Sequence, residues 1–286
     1  MRLILTILLI GLFKADAQLV INASSPYVPL GGFTGILDTY SGAAAAYSLR
    51  KLDKDYVGSA IRIRKDTTGQ PEQDIGFTAS GDLDTAAIKT FLNARNGFVT
   101  TWYDQSGNAR NATQSTQNNQ PRIALNGVIS RRNNLPTLIF TNDFFLTITS
   151  HTITHAIILA KVDVVRTINY VYASTTLGLF WNGGFTGVNG LGGFDGTNVR
   201  SITGENTNLN LGWFSMRSSA LFVARNGGSE TNTGSFAASL SLTRIGRRDI
   251  DLTTSGEIQE IISWNSNISA NKSGIETNLN TYYGIY

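Results

Sequence analysis

Cysteine is absent from the 286 residues, and histidine occurs twice. The first absence excludes disulfides, thiol catalysis and cysteine-ligated zinc. The two histidines, His151 and His155, stand four apart in a strand-like run and not on a helix, so they fall short of a zinc ligand set. Charge is also scarce. There are 23 Lys and Arg against 20 Asp and Glu, a net charge of +3. The basic residues cluster only as short pairs such as Arg131-Arg132 and Arg247-Arg248, too little to expect a nucleic-acid partner. Beyond the N-terminus no apolar run is long enough to cross a bilayer, so no membrane span is expected.

What is abundant points the other way. The 29 glycines, with many Thr, Ser and Asn and few Glu and Lys, favour strands and turns over helices. Apolar content is 41%, enough for a core and against disorder.

Residues 1–17 read as a secretory signal. Arg2 supplies the positive start, Leu3 to Phe13 the apolar stretch and Ala15-Asp16-Ala17 the cleavage site, which leaves Gln18 as the new terminus. The expected location is therefore secreted or surface-associated. Residues 18–34 follow as a linker or edge strand, and residues 35–286 as one domain.

Within that domain Ser41 and the alanines after it suggest a short helix through Arg50. Residues 59–64 alternate as a half-buried strand, with Ile61 and Ile63 inward and Arg62 and Arg64 outward. Asp84 can cap a helix carrying Ala87, Ile88, Phe91 and Leu92. Short strands recur from Arg122 to Ile245, and Asn226-Gly227 is a hairpin signal. Residues 182–208, rich in Gly and Asn, are long loops or weak strands. A strand over 256–265 precedes a helix that Ser269 would cap, with Ile275, Leu279 and Tyr282 on its apolar face.

Two blocks carry a resemblance. Asp38-Thr39, Ala45-Ala46-Tyr47-Ser48, Tyr56-Val57-Gly58, Ile63-Arg64-Lys65, Asp74-Ile75-Gly76 and Tyr103-Asp104-Gln105-Ser106-Gly107-Asn108 follow one another over about eighty residues. In order and spacing this series resembles the N-terminal half of the catalytic domain of fungal-type α-L-arabinofuranosidase B. Similar blocks occur in bacterial and phage proteins with concanavalin A-like lectin or glucanase domains. Gly256 to Tyr286 resembles the terminal strand and helix of such domains. The resemblance implies an all-β, concanavalin A-like two-sheet jelly-roll sandwich with short peripheral helices and a C-terminal helix.

It also implies where catalysis would lie. A retaining glycosidase needs two carboxyl groups about 5–5.5 Å apart. Asp249, after Ile245-Gly246-Arg247-Arg248, matches the family's acid/base by position, although Arg248 replaces a glycine there. The family's nucleophile segment has no counterpart, leaving Asp195 and Glu205 as weak candidates. The expected function is thus a secreted or surface carbohydrate-binding or adhesion module without catalysis. The alternatives are an α-L-arabinofuranosidase-like retaining hydrolase and a structural decoration protein of a virion or cell surface.

Sugar binding calls for aromatic faces and convergent amides. Core packing is the default role of each tryptophan; Trp181 and Asn182, beside a Gly-rich loop, are the best-placed candidates for a surface contact. Asp104, Gln105 and Asn108 form a polar corner at the end of an aromatic strand. There the default reading is a structural turn, with the Asp104 carboxylate accepting backbone N–H groups. No cofactor is expected; calcium, on the oxygens of Asp104, Ser106 and Asn108, is the one ion this set suggests. The expected partners are a glycan or polysaccharide and proteins of a cell or virion surface.

Overall fold

The C-terminal strand Gly256–Trp264 lies at the centre of the fold. All nine of its residues are buried. Along one edge it runs antiparallel to His155–Val162. Along the other it meets two strands end to end, Ala45–Ser48 and Leu138–Phe140. It is covered on both faces and both edges, so Ile258, Ile261, Ile262 and Trp264 are buried together with the polar side chains of Glu257, Gln259, Glu260 and Ser263. The computed structural model describes residues 33–141, 143–163, 169–181, 190–204, 207–248 and 254–286. The expected signal segment 1–17 and nearly all of 18–34 fall outside them.

From this centre one run of antiparallel neighbours continues through Asn210–Arg217, Ala220–Arg225 and Thr231–Ser235. A second run begins at Glu72–Ile75 and passes through Ile61–Lys65, Gly97–Trp102, Ala112–Thr113, Leu146–Ile153 and Leu240–Ile245. It goes on to Asn169–Ala173, Gly178–Trp181, Gly190–Phe194 and Val199–Thr203. Arg122–Leu125 pairs with Gly97–Trp102 and, at Ile139, with Leu138–Phe140. That bridge joins the two runs into one nearly closed antiparallel network, of 19 strands among the described residues, where two separate sheets were expected.

The main core lies between the runs. Ile61, Ile63, Val99, Trp102, Leu242 and Trp181 of the second run share it with Ile158, Phe214, Val223 and Ile261 of the first. A second apolar cluster lies on the far face of the first run. There Ile157, Trp213, Ile262 and Trp264 meet the helices Ile36–Thr39 and Lys272–Tyr283.

Four local expectations change. Ala45–Ser48 is a strand and not part of a helix. Its small residues let it pair with Ser263–Glu260 while Tyr47 enters the core, and pairing in the sheet outweighs the helix preference of alanine. Arg64 is buried, with its guanidinium 4.8 Å over the ring of Phe98. Ser269 opens a 3-10 turn rather than capping the helix, and its hydroxyl turns to His155 at 3.0 Å. The buried stripe of the last helix is Ile275, Leu279 and Tyr283, with Tyr282 beside it.

Other expectations are met. Asp84 caps Thr85–Leu92 by accepting from Ala87 N–H at 2.9 Å. Asn226 and Gly227 both take left-handed backbone angles, at φ 50° and 74°, as the sharp turn after Ala220–Arg225 requires. The loop extends to Glu230 before the next strand.

Candidate functional site

Alternation in two neighbouring strands builds a groove. In Ile61–Lys65 the isoleucines point into the core and Arg62 points out. In Gly97–Trp102, Val99 and Trp102 point in. Three positions separate those two, so a strict period of two cannot hold. The register slips between Arg62 and Ile63, which face Thr101 and Val99 and leave Thr100 as the extra residue. Thr100 and Thr101 therefore both open onto a cavity of about 410 Å³, with Thr113 and Thr147 of the next two strands.

Ion pairing and amides frame these hydroxyls. Arg62 at the rim makes a two-pronged pair with Asp74 at 2.8 and 2.7 Å. Tyr103 donates to the same carboxylate at 2.7 Å. The Arg62 bonds, and then Tyr103, hold Asp74 below the usual carboxylate range against the opposing effect of burial. Gln114 and Gln120 also line the cavity. Gln120 accepts from Arg64 Nε at 2.7 Å and donates to the Gln114 carbonyl at 3.0 Å. Gln114 accepts from Thr116 N–H and donates to the Phe145 carbonyl. Glu72 is the one carboxylate among the described residues that line the cavity, and it accepts from Thr100 Oγ1 at 3.4 Å. Hydroxyls that both donate and accept, on a preset frame, suit a polyhydroxylated ligand.

The polar corner is fastened from within. Asp104 accepts from the N–H groups of Ala46 at 2.8 Å, Ser106 at 2.9 Å and Arg110 at 3.0 Å, and from the Ser106 hydroxyl at 2.8 Å. Its expected role as a backbone acceptor is thus seen, and it ties the turn to the strand Ala45–Ser48. Gln105 accepts from Leu52 N–H at 2.8 Å and donates to the carbonyls of Ser48 and Arg50. Asn108 donates to the carbonyls of Ala43 and Ala44. Calcium is drawn to free oxygen ligands, whereas here both Asp104 oxygens already meet hydrogen-bond donors and Asn108 presents its NH₂ group inward.

Trp181 corrects the expectation of an exposed platform. It is fully buried, with its ring centroid 5.5 Å from that of Phe214. A Cβ on Gly212 would come within 2.7 Å of the indole. Leu179 and Trp181, two apart on the strand, face the main core, while Phe180 between them packs on the opposite face. Asp195 sits in the turn between Gly190–Phe194 and Val199–Thr203. It accepts from the N–H groups of Thr197, Asn198 and Ala237. Burial raises its pKa, but these bonds outweigh it and hold the group below its ordinary value. Asn182, Glu205 and Asp249 lie outside the described residues. Arg247 and Arg248, which precede Asp249, lie over Phe145 and Tyr170 at 4.7 and 4.9 Å. His151 and His155 occupy different strands. His151 bonds Tyr172, while His155 bonds Ser215 and Ser269.

The groove threonines were not singled out in the sequence. Their one signal is the break in alternation between Val99 and Trp102.

No protein-family model matches the chain, and no curated protein matches it. Solved structures do. An arabinofuranosidase complexed with arabinofuranosyl-α-1,2-xylobiose superposes with a TM-score of 0.66 at 14% identity over 87% of this chain. A GH54 α-L-arabinofuranosidase soaked with a cyclic sulfate inhibitor gives 0.67 at 15% identity, again over 87%. The fold resembles that of GH54 α-L-arabinofuranosidases. At such identities the likeness is one of fold. This chain spans 64% of the length of each of those two arabinofuranosidases.

Proposed function

We propose that this protein is a secreted or surface-attached carbohydrate-binding module, a jelly roll of the concanavalin A-like type that holds a glycan without hydrolysing it. The observation that carries this reading is the hydroxyl-lined groove. Thr100, Thr101, Thr113 and Thr147 offer alternate donors and acceptors, while Glu72 is its single carboxylate among the described residues. Retaining hydrolysis takes two carboxyl groups at about 5–5.5 Å. Asp195 is spent on its own turn. The arabinofuranosidase-like fold makes an arabinose-containing polysaccharide the first glycan to try.

The fold match also favours a second reading, in which Asp249 acts as acid/base of an α-L-arabinofuranosidase. One experiment separates them. Purified protein is tested for retention on a panel of insoluble polysaccharides and for turnover of an aryl α-L-arabinofuranoside and of arabinan, alongside Asp249→Asn. Retention without turnover is expected. Turnover well above background that vanishes in Asp249→Asn would establish the hydrolase instead.

A further inference from the structure

The groove has a continuation. Ile61–Lys65 and Gly97–Trp102 are antiparallel neighbours. Residues two apart on a strand share a face about 6.6 Å from one another. Arg62 and Thr100 line the groove, and Arg64 and Phe98 line a second cavity of about 320 Å³. The two cavities are thus one pleat apart along the same pair of strands. Their floors are tied together, since Gln120 of the groove accepts from Arg64 Nε at 2.7 Å. The 114–120 segment borders both, with Gln114 and Gln120 on the groove and Gln117 and Asn118 on the second cavity.

The second cavity differs in kind. Phe98 and Phe144 form its apolar wall, edge to face with ring centroids 6.4 Å apart. Gln117 and Asn118 are exposed at its rim. An aromatic wall beside side-chain amides suits a sugar ring, whose C–H face packs on the aromatic while its hydroxyls reach the amides. Each cavity, at about 300–400 Å³, is at the small end of ligand sites and holds one or two sugar units.

We propose that the two cavities are consecutive subsites for one linear, uncharged oligosaccharide, so that the protein binds an internal stretch of a glycan chain and not a single terminal sugar. An uncharged chain fits because the arginines on the path are already paired, Arg62 with Asp74 and Arg64 with Asp66 at 3.6 Å, while the Glu72 carboxylate in the groove lining repels an acidic chain. The proposal rests on the glycan-binding reading above and adds length and charge to it.

The test is calorimetric titration of the full chain with linear arabino- and xylo-oligosaccharides of two to six units and with the parent polymers. Affinity should rise at least tenfold between two and four units in one series. Phe144→Ala should remove that gain, so that four units bind no more tightly than two. The double variant Gln117→Ala with Asn118→Ala should do the same. It alters only exposed amides, so it keeps the test sound if Phe144→Ala fails to fold. Thr113→Trp, which fills the groove from an exposed position, should abolish binding of every length. Equal affinity for two and six units, or a length gain that survives the double variant, overturns the extended site while leaving glycan binding intact. No binding by either series or either polymer overturns both.

Discussion

Arg50 and Glu260 form a buried ion pair, Nε to Oε2 at 2.8 Å and Nη2 to Oε1 at 3.0 Å, with the carboxylate fully enclosed. Burial works against the charge on Arg50, and Glu260 more than restores it. Glu260 also accepts from the hydroxyls of Ser48 and Tyr283 at 2.7 and 2.8 Å. The rings of Tyr282 and Tyr283 flank the guanidinium at 4.7 and 5.4 Å. One carboxylate thus fastens the first strand, the segment after it and the last helix to the central strand.

Removing one partner of such a pair leaves a charge buried without compensation. Glu260→Gln should therefore destabilise the protein by about 3–5 kcal/mol. Urea unfolding followed by tryptophan fluorescence measures it. A midpoint within error of wild type would mean that Arg50 finds another partner.

The Asp104 turn gives a second prediction. Asp104→Ala leaves the N–H groups of Ala46, Ser106 and Arg110 without their acceptor. The loss should be at least about 1–3 kcal/mol, the cost of a buried unsatisfied polar group. Asp104→Asn keeps one acceptor oxygen and should fall between the two. Equal stability of all three proteins, with glycan retention lost only in Asp104→Ala, would make Asp104 a ligand contact instead.

The third prediction concerns pH. Burial, with the Arg217 charge nearby, lowers the His155 imidazole to about 4. In the unfolded chain it titrates near the ordinary value of about 6.5. Between these values the unfolded state binds more protons, so stability declines as pH falls from about 6.5 through about 4. The slope from this group reaches at most about 1.4 kcal/mol per pH unit. Melting temperatures at pH 7, 5.5 and 4.5 should decline less steeply in His155→Gln than in wild type. Parallel profiles would assign the acid sensitivity to other groups, His151 among them, since burial lowers it too.

Much of the strand content could be read from the chain because it rests on local chemistry. The isoleucine-rich strand 256–264, the Asp84 cap and the Asn226-Gly227 turn each follow from side chains within a few residues. The acceptor role of Asp104 is equally local, since two of its donors lie within six residues. The failures share a cause. Alanines at 43–46 prefer a helix in isolation, yet the open edge of Gly256–Trp264 makes Ala45–Ser48 a strand. Trp181 beside a Gly-rich loop looks exposed, but its strand turns it toward Phe214.

By itself the sequence determined that the protein is all-β with a C-terminal helix, that it has no thiol chemistry, and that its polar corner closes on Asp104. Those properties depend on composition, period and neighbours in the chain. Only the tertiary structure decided which threonines share a groove, which carboxylate lines it, and that Arg64 is stacked on Phe98 rather than exposed. Each of these depends on strand register and on which strand lies alongside, and both are set by contacts between residues far apart in the chain.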